Sequence, residues 1–329
     1  MRHTAPVCPC SQLPGIRDDA RGVTVLYGAV LSTERCKYVA ASETLRVPRS
    51  AVMPPATLAG QLRCVALSLC VLLLVCAGCR ATRGPWAELP PPATVLSEVQ
   101  PIWQHLAMRR QTFQNLKGLA QVRVYTTAQN VTIEDMVVLL HGFDAMRLEG
   151  IGPFGQPLFL LIAEGQRFSL YTPQEARLVS GTASADNLAR LLGIALAPAV
   201  LHYMLIGDVP LMHLPTAGTF GYHARTNLYV WEGQGAERWL DYRIWFEPHH
   251  LQPVRFVVTE MFGEVVLDVQ YDDFHPLGEI RLPYRIVIEQ PRAGRRVVWQ
   301  YTDVQLNAGI SPALFRLRVP PGTQHLELD

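Results

Sequence analysis

Seven cysteines occur in this 329-residue chain, at 8, 10, 36, 64, 70, 76 and 79, and none follows. Thiolates are strong nucleophiles and soft metal ligands, so the absence of cysteine after Cys79 excludes disulfides, thiol catalysis and cysteine metal sites from the rest of the chain. The stretch that ends at Cys79 has a definite pattern. Cys64 to Gly78 (CVALSLCVLLLVCAG) is fifteen uncharged residues, preceded by Arg63, closed by the small pair Ala77-Gly78 and followed at once by Cys79. A permanent membrane helix needs roughly 20 apolar residues, so this run is short for one. It fits a signal-peptide core, with small residues where a processing enzyme cuts. Cys79 is then the last thiol the processed chain keeps.

Other chemistry finds little support. The serines after Cys79 are Ser97, Ser169, Ser180, Ser184 and Ser311, and none stands in a Gly-x-Ser-x-Gly elbow. There is no phosphate-binding loop, no HExxH and no strand-borne GxGxxG. His249-His250 lies between prolines and reads as a hairpin tip, since neighbours on a strand point to opposite faces. Asp272-Asp273-Phe274-His275 has the residue types for a cation but no second cluster, and reads as a solvated loop between strands. No enzyme activity, cofactor or metal is expected. Residues 1–78 hold eight basic and four acidic side chains, which leaves 21 basic against 24 acidic in 79–329. A net charge of −3 with Lys117 as the one lysine does not suit a nucleic-acid or polybasic membrane surface.

Val75-Cys76-Ala77-Gly78-Cys79 resembles the lipobox of bacterial lipoproteins. The Ala-Gly-Cys part follows the pattern, while Cys76 stands where an aliphatic residue is preferred. The resemblance implies that the Cys79 thiol receives diacylglycerol, that the preceding peptide is then removed, and that the new amino group is often acylated. Met53, followed by PPATLAGQLR, is a conventional start for such a leader, so 1–52 is expected to be an upstream extension and 53–78 the signal peptide. Residues 79–93 (CRATRGPWAELPPPA) read as a Pro-rich tether, leaving 94–329 for the folded domain.

Within that domain the spacing of Leu96, Val99, Ile102, Trp103, Leu106 and Phe113 predicts a helix over 97–115, with Ser97 and Gln100 as a capping box. Strand patterns follow at 120–126, 134–140, 145–150, 158–163 and 167–171. Two leucine-striped helices occupy 184–192 and 198–206, and six more strands fall at 227–231, 239–246, 254–261, 264–271, 279–289 and 296–305. The spacing is too tight for crossover helices. The expected fold is α+β: an unclosed antiparallel β-barrel of about eleven strands with helices on its concave face. Gly152-Pro153-Phe154-Gly155-Gln156-Pro157 puts Phe154 at a loop tip, either exposed to lipid or a partner, or folded back under the sheet.

This order of segments is similar to the outer-membrane lipoprotein carrier LolA and insertase LolB. Arg147 to Pro210 carries most of the resemblance, through "RLEGIGPFGQPLFLLIAEGQRFSLYTP" and "LARLLGIALAPAVLHYMLIGDVP", and "YTDVQLNAGISPALFRLRVPPG" resembles how members of the fold end. The resemblance implies a greasy interior for acyl chains of lipoproteins or phospholipids, with Leu188, Leu191, Leu192, Leu201, Met204 and Leu205 as cavity or lid residues. Simple core packing is the alternative for those six. It implies Phe154 as a membrane-insertion residue, Arg147 as a cavity arginine, and a periplasmic lipoprotein carrier as partner. The implied role is lipoprotein or lipid placement at the periplasmic face of the outer membrane; a non-transporting sensor or scaffold binding a protein is the other reading. Arg80 fits that destination, because the inner-membrane retention signal of the resembled systems is Asp at that position.

The leader reading is tested by mass spectrometry of the membrane-bound protein: its N-terminal peptide should be a diacylated Cys79. Cys79→Ala should abolish that mass and shift protein from the lipidated membrane pool; peptides from before Met53 would overturn the assigned start.

Overall fold

The computed structural model describes residues 85–192, 195–210, 217–235 and 239–329. The leader, the Met53 start and Cys79 lie outside the described residues. Helix α1 (Gln100–Thr112) precedes six strands: β1 (Asn115–Tyr125), β2 (Asn130–His141), β3 (Ala145–Ile151), β4 (Pro157–Glu164), β5 (Arg167–Thr172) and β6 (Arg177–Thr182). Helices α2 (Ala185–Leu192) and α3 (Pro198–Leu205) interrupt the strand run. It resumes with β7 (Thr219–His223), β8 (Leu228–Gln234), β9 (Leu240–Phe246), β10 (Pro253–Glu260), β11 (Val265–Leu277), β12 (Ile280–Gln290) and β13 (Arg295–Leu306), and ends in β14 (Gln324–Leu328).

Among the described residues these strands make one 14-stranded sheet, in the order β14-β6-β5-β4-β3-β2-β1-β13-β12-β11-β10-β9-β8-β7. The end strands β14 and β7 do not pair, so the barrel is open as expected. Its strand count exceeds eleven because β6, β7 and β14 lacked a sequence signal. β7 (TFGYH) and β6 (RLVSGT) are short and interrupted by glycine. β14 (QHLEL) is a mostly exposed edge, so alternation had nothing to record, and it alone pairs in parallel, with β6.

Alternation explains which face is buried. Leu267, Val269 and Tyr271 of β11, Ile286 and Ile288 of β12, and Val297, Trp299 and Tyr301 of β13 point to one side and join Ile102 and Leu106 of α1 in a continuous core. The outer face carries a smaller cluster of Leu139, Ala145, Ile162, Ile310 and Phe315. There the chain after β13 crosses β3 and β4 through a 3-10 turn, Pro312–Phe315, on its way to β14.

Local expectations needed three corrections. α1 begins with Val99 as its N-cap and no side-chain cap, so the Ser97–Gln100 box does not form; Pro101 occupies the first turn instead. Asp272 to His275 lies inside β11, not in a loop, with Asp273 in the left-handed region (φ 54) and its carboxylate 2.9 Å from His275 Nε2. The segment from Trp86 onward, read as tether, is bound: Asn227 Nδ2 donates to the carbonyls of Trp86 (3.1 Å), Leu89 (2.9 Å) and Pro90 (3.3 Å), and His249 Nε2 lies 2.9 Å from Pro90 O.

His202 of α3 is buried between Phe113 and Phe143. Burial lowers its pKa from 6.5 to about 4, against smaller opposing effects of the Gly142 backbone and Asp144. The folded state thus resists a proton that the unfolded chain accepts, and stability falls as pH drops from about 6.5 to about 4, by on the order of 3 kcal/mol. Urea unfolding across this range should show that slope in the native protein, and a shallower one in His202→Leu; equal slopes would contradict the assignment.

Candidate functional site

The concave face is not completely filled by its helices. A cavity of about 290 Å³ remains, lined from the sheet by Val122, Val124, Ile133, Met136, Leu148, Phe159, Ile288, Val297 and Trp299 and from the helices by Leu188 and Leu201. It is largely apolar, and its polar lining is confined to Thr126, Gln129, Gln290 and Arg295. Gly150 makes room for its wall: a Cβ there would meet Phe159 Cε1 at 2.7 Å, so the cross-strand glycine lets that ring lie over the sheet. A larger space of about 530 Å³ along β8, β9 and β10 is lined mostly by polar and charged side chains and is a groove on the outer surface, without an enclosing apolar wall.

The pairing register places the mouth of the cavity at one end of the sheet. Tyr125 pairs with both Asn130 and Arg296, and Gln290 pairs with Arg295, so the β1–β2 and β12–β13 turns are neighbours at this end. The β3–β4 and β10–β11 turns point the same way. Phe154 in the first is 92% exposed, and Phe262 in the second is 99% exposed. Met261 and Trp239, joined by a backbone hydrogen bond of 3.0 Å, and Val131 add partly exposed apolar surface to the same rim. Phe154 is therefore an exposed tip and not a plug. Phe262 was not signalled by sequence because it precedes Gly263 in an ordinary-looking strand boundary, yet its φ of 77 holds a bulky residue in the left-handed region.

The docked Trp86–Pro90 segment lies at the other end. Asn227 belongs to the β7–β8 turn and His249 to the β9–β10 turn, both opposite the aromatic rim, and Trp86 packs edge-on against Phe274 near the far end of β11.

Helix α3 is fixed by a run of side-chain donors. The carbonyl of Leu205 accepts from Tyr301 (3.1 Å), those of Ile206 and Gly207 from Arg109 (3.2 and 3.4 Å), that of Asp208 from Tyr271 (2.8 Å), and that of Val209 from Arg110 (2.9 Å). Arg110 also grips the Asp208 carboxylate through two bonds of 2.6 and 2.9 Å. Burial draws the Arg109 pKa down, partly opposed by Asp208, and pushes those of Tyr271 and Tyr301 up. Gly207 is required at the turn: its φ is 67, and a Cβ would meet Pro283 Cδ at 2.3 Å.

Of the six leucine and methionine positions read as cavity or lid, Leu188 and Leu201 line the cavity. Met204 and Leu205 are fully buried in the core beneath α3, and Leu191 packs against that core half-buried. The Leu192 side chain lies outside the described residues. Arg147 is not in the cavity. Its neighbours Met146 and Leu148 face the core, so strand alternation turns Arg147 to the outer surface, where it donates to Leu314 O (2.8 Å) and pairs with Glu149 (2.7 Å). Sequence reasoning passed over Arg109, Arg110, Asp208, Gln290 and Arg295, because nothing local ties a helix arginine to a loop 97 or 98 residues away.

No protein-family profile matches this chain, and no curated protein is significantly similar to it. Solved structures do match. A domain from Vibrio parahaemolyticus, described as an outer membrane lipoprotein-sorting protein, superposes with a TM-score of 0.50 over 66% of this chain and 95% of its own, at 11% identity. The fold is of the LolA/LolB type. A LolA superfamily protein from Nitrosomonas europaea is also found, at TM-score 0.47, 14% identity and 68% and 99% coverage.

Removing one member of the Arg110–Asp208 pair strands a charge beside buried carbonyls. Asp208→Ala should lower the unfolding free energy by about 3 kcal/mol, read by urea titration. A loss below about 0.5 kcal/mol, the surface-substitution range, would show that the clamp does not hold α3.

Proposed function

We propose that this chain is a lipid-anchored protein of the bacterial envelope that takes acyl chains into its half-barrel and helps place lipoproteins or other lipids in the outer membrane. The observation that carries this reading is a largely apolar cavity on the concave face, with Phe154 and Phe262 exposed on turns at the end of the sheet where the cavity has its polar lining. No catalytic residue is needed. Each methylene moved from water into such a space gains about 0.8 kcal/mol, so shape and apolar area suffice for binding.

The volume narrows the cargo. A methylene takes up about as much room as a water molecule, roughly 30 Å³, so a cavity of about 290 Å³ holds a single chain of about ten carbons. More or longer chains need an enlarged cavity. α3 is held at its C-terminal end by the five carbonyls from Leu205 to Val209, so enlargement falls to α2, which brings Leu188 to the cavity and is tied by Asn187 Nδ2 to the carbonyls of Thr182 and Asp329. Phe154 and Phe262 would then meet the accepting bilayer or the periplasmic carrier that delivers the chain.

A second reading, a non-transporting scaffold or sensor that binds a protein at the same rim, draws on the position of Trp86–Pro90. Cys79 is seven positions before Trp86, a reach of at most about 25 Å. The thirteen residues of β11 span about 40 Å between the two ends of the sheet. With Trp86–Pro90 docked, an anchor at Cys79 would lie nearer that end of the sheet than the aromatic rim, which favours a rim that meets a protein on the aqueous side over one that meets its own bilayer.

Native mass spectrometry of the full chain should find a bound single-chain lipid mass, and Leu201→Trp, which fills the cavity, should weaken it at least tenfold while the protein remains folded. An empty cavity with a stoichiometric co-purifying protein would favour the scaffold. Depletion that leaves lipoprotein localisation and envelope lipid composition unchanged would overturn transport.

A further inference from the structure

The cavity of the proposed acyl-binding site has one chemically distinct corner. Gln290 and Arg295 pair across the last rung of the β12–β13 hairpin and both line the cavity at its mouth. Gln290 is 7% exposed; its Nε2 donates to Ala195 O at 3.1 Å, while its Oε1 is buried with no partner. Arg295 Nε is likewise buried and unpartnered, and among the described residues no carboxylate pairs with its guanidinium. The adjacent arginines differ: Arg292 reaches both Glu260 oxygens at 2.8 Å, and Arg296 pairs with Glu289 at 2.9 Å. The buried Arg295 Nε and Gln290 Oε1, at the edge of an apolar chamber, both lack the protein partner that a buried polar atom normally has.

We infer that Gln290 and Arg295 hold the polar head of the amphiphile whose chain fills the cavity. The inference rests on the acyl-binding reading and names the ligand class: a single-chain amphiphile whose head has an anionic oxygen next to a hydroxyl or amide N–H. The anionic oxygen accepts from the Arg295 guanidinium, and the neighbouring O–H or N–H donates to Gln290 Oε1. A fork of guanidinium donors suits a phosphate or carboxylate, and the position at the mouth leaves the rest of a larger head in water. Two sources present this chemistry. A lysophospholipid offers phosphate beside a glycerol hydroxyl, and an N-acylated amino acid offers a carboxylate beside its amide N–H.

The test uses the full chain in amphipol with three decanoyl- or decyl-chain probes: a lysophosphatidylglycerol, N-decanoylglycine and decyl maltoside, whose head is uncharged. Titration calorimetry on the native protein and on Arg295→Gln, in the same medium, makes partitioning cancel between proteins. One or both anionic probes should bind about tenfold more tightly than the maltoside, and the tighter of the two identifies the source. Arg295→Gln should remove that preference while keeping maltoside affinity, and Arg295→Lys should restore part of it. Equal affinity for all three probes, or a preference that survives Arg295→Gln, overturns the head-group assignment alone. Failure of every probe to bind the folded native protein overturns the acyl-binding reading beneath it.

Discussion

Buried backbone carbonyls at the end of α3 have to find donors, and how they do so holds the rest of the structure in place. Five consecutive carbonyls, from Leu205 to Val209, are met by side chains of Tyr301, Arg109, Tyr271 and Arg110. An unpartnered buried carbonyl costs about 1–3 kcal/mol, so this set ties together four elements that sequence keeps apart. α1 supplies the arginines, β11 and β13 supply the tyrosines, and α3 can sit across the sheet in essentially one way. The clamp lies on one side of the chamber, so the helix layer is anchored there and the remaining space opens toward the rim.

That asymmetry gives the domain two unlike ends. One binds Trp86–Pro90 through Asn227 and His249 and is bounded by ordinary polar turns. The other combines the cavity mouth, an arginine whose buried Nε has no protein partner and two exposed phenylalanines. An open sheet makes such a chamber without catalytic groups, because apolar side chains on alternate positions of many strands are enough to exclude water. The cost is edge exposure, limited here at β14 by its polar sequence and by pairing with β6.

Much of this was legible from local pattern. Both central helices appear within a residue or two of their expected ends, and most strands were recovered, because apolar periodicity is imposed by the same face that packs. A loop crowded with glycine and proline put Phe154 at a tip but left exposure and a plug under the sheet both open, and the structure decided for exposure. Arg147 went wrong for a physical reason: on a strand, one residue of register separates the chamber from the outer surface. Among the six lid candidates, spacing marked an apolar stripe but could not say that Leu188 and Leu201 face empty space while Met204 and Leu205 face packed atoms.

The sequence alone determined that thiols end at Cys79, that the following chain is near-neutral and free of recognisable catalytic motifs, and that a long antiparallel meander is interrupted by two apolar helices. Those are properties of composition and of short-range period. Only the tertiary structure decided that the helices leave a cavity, that Gln290 and Arg295 meet at its mouth, and that Phe262 joins Phe154 on the same rim while Trp86–Pro90 binds at the far end. Each of these depends on strand order and register across a sheet whose neighbours are up to 190 residues apart, as with Leu116 and Leu306. Such pairings are set by the closing of the whole apolar face, an energy no local window of sequence contains.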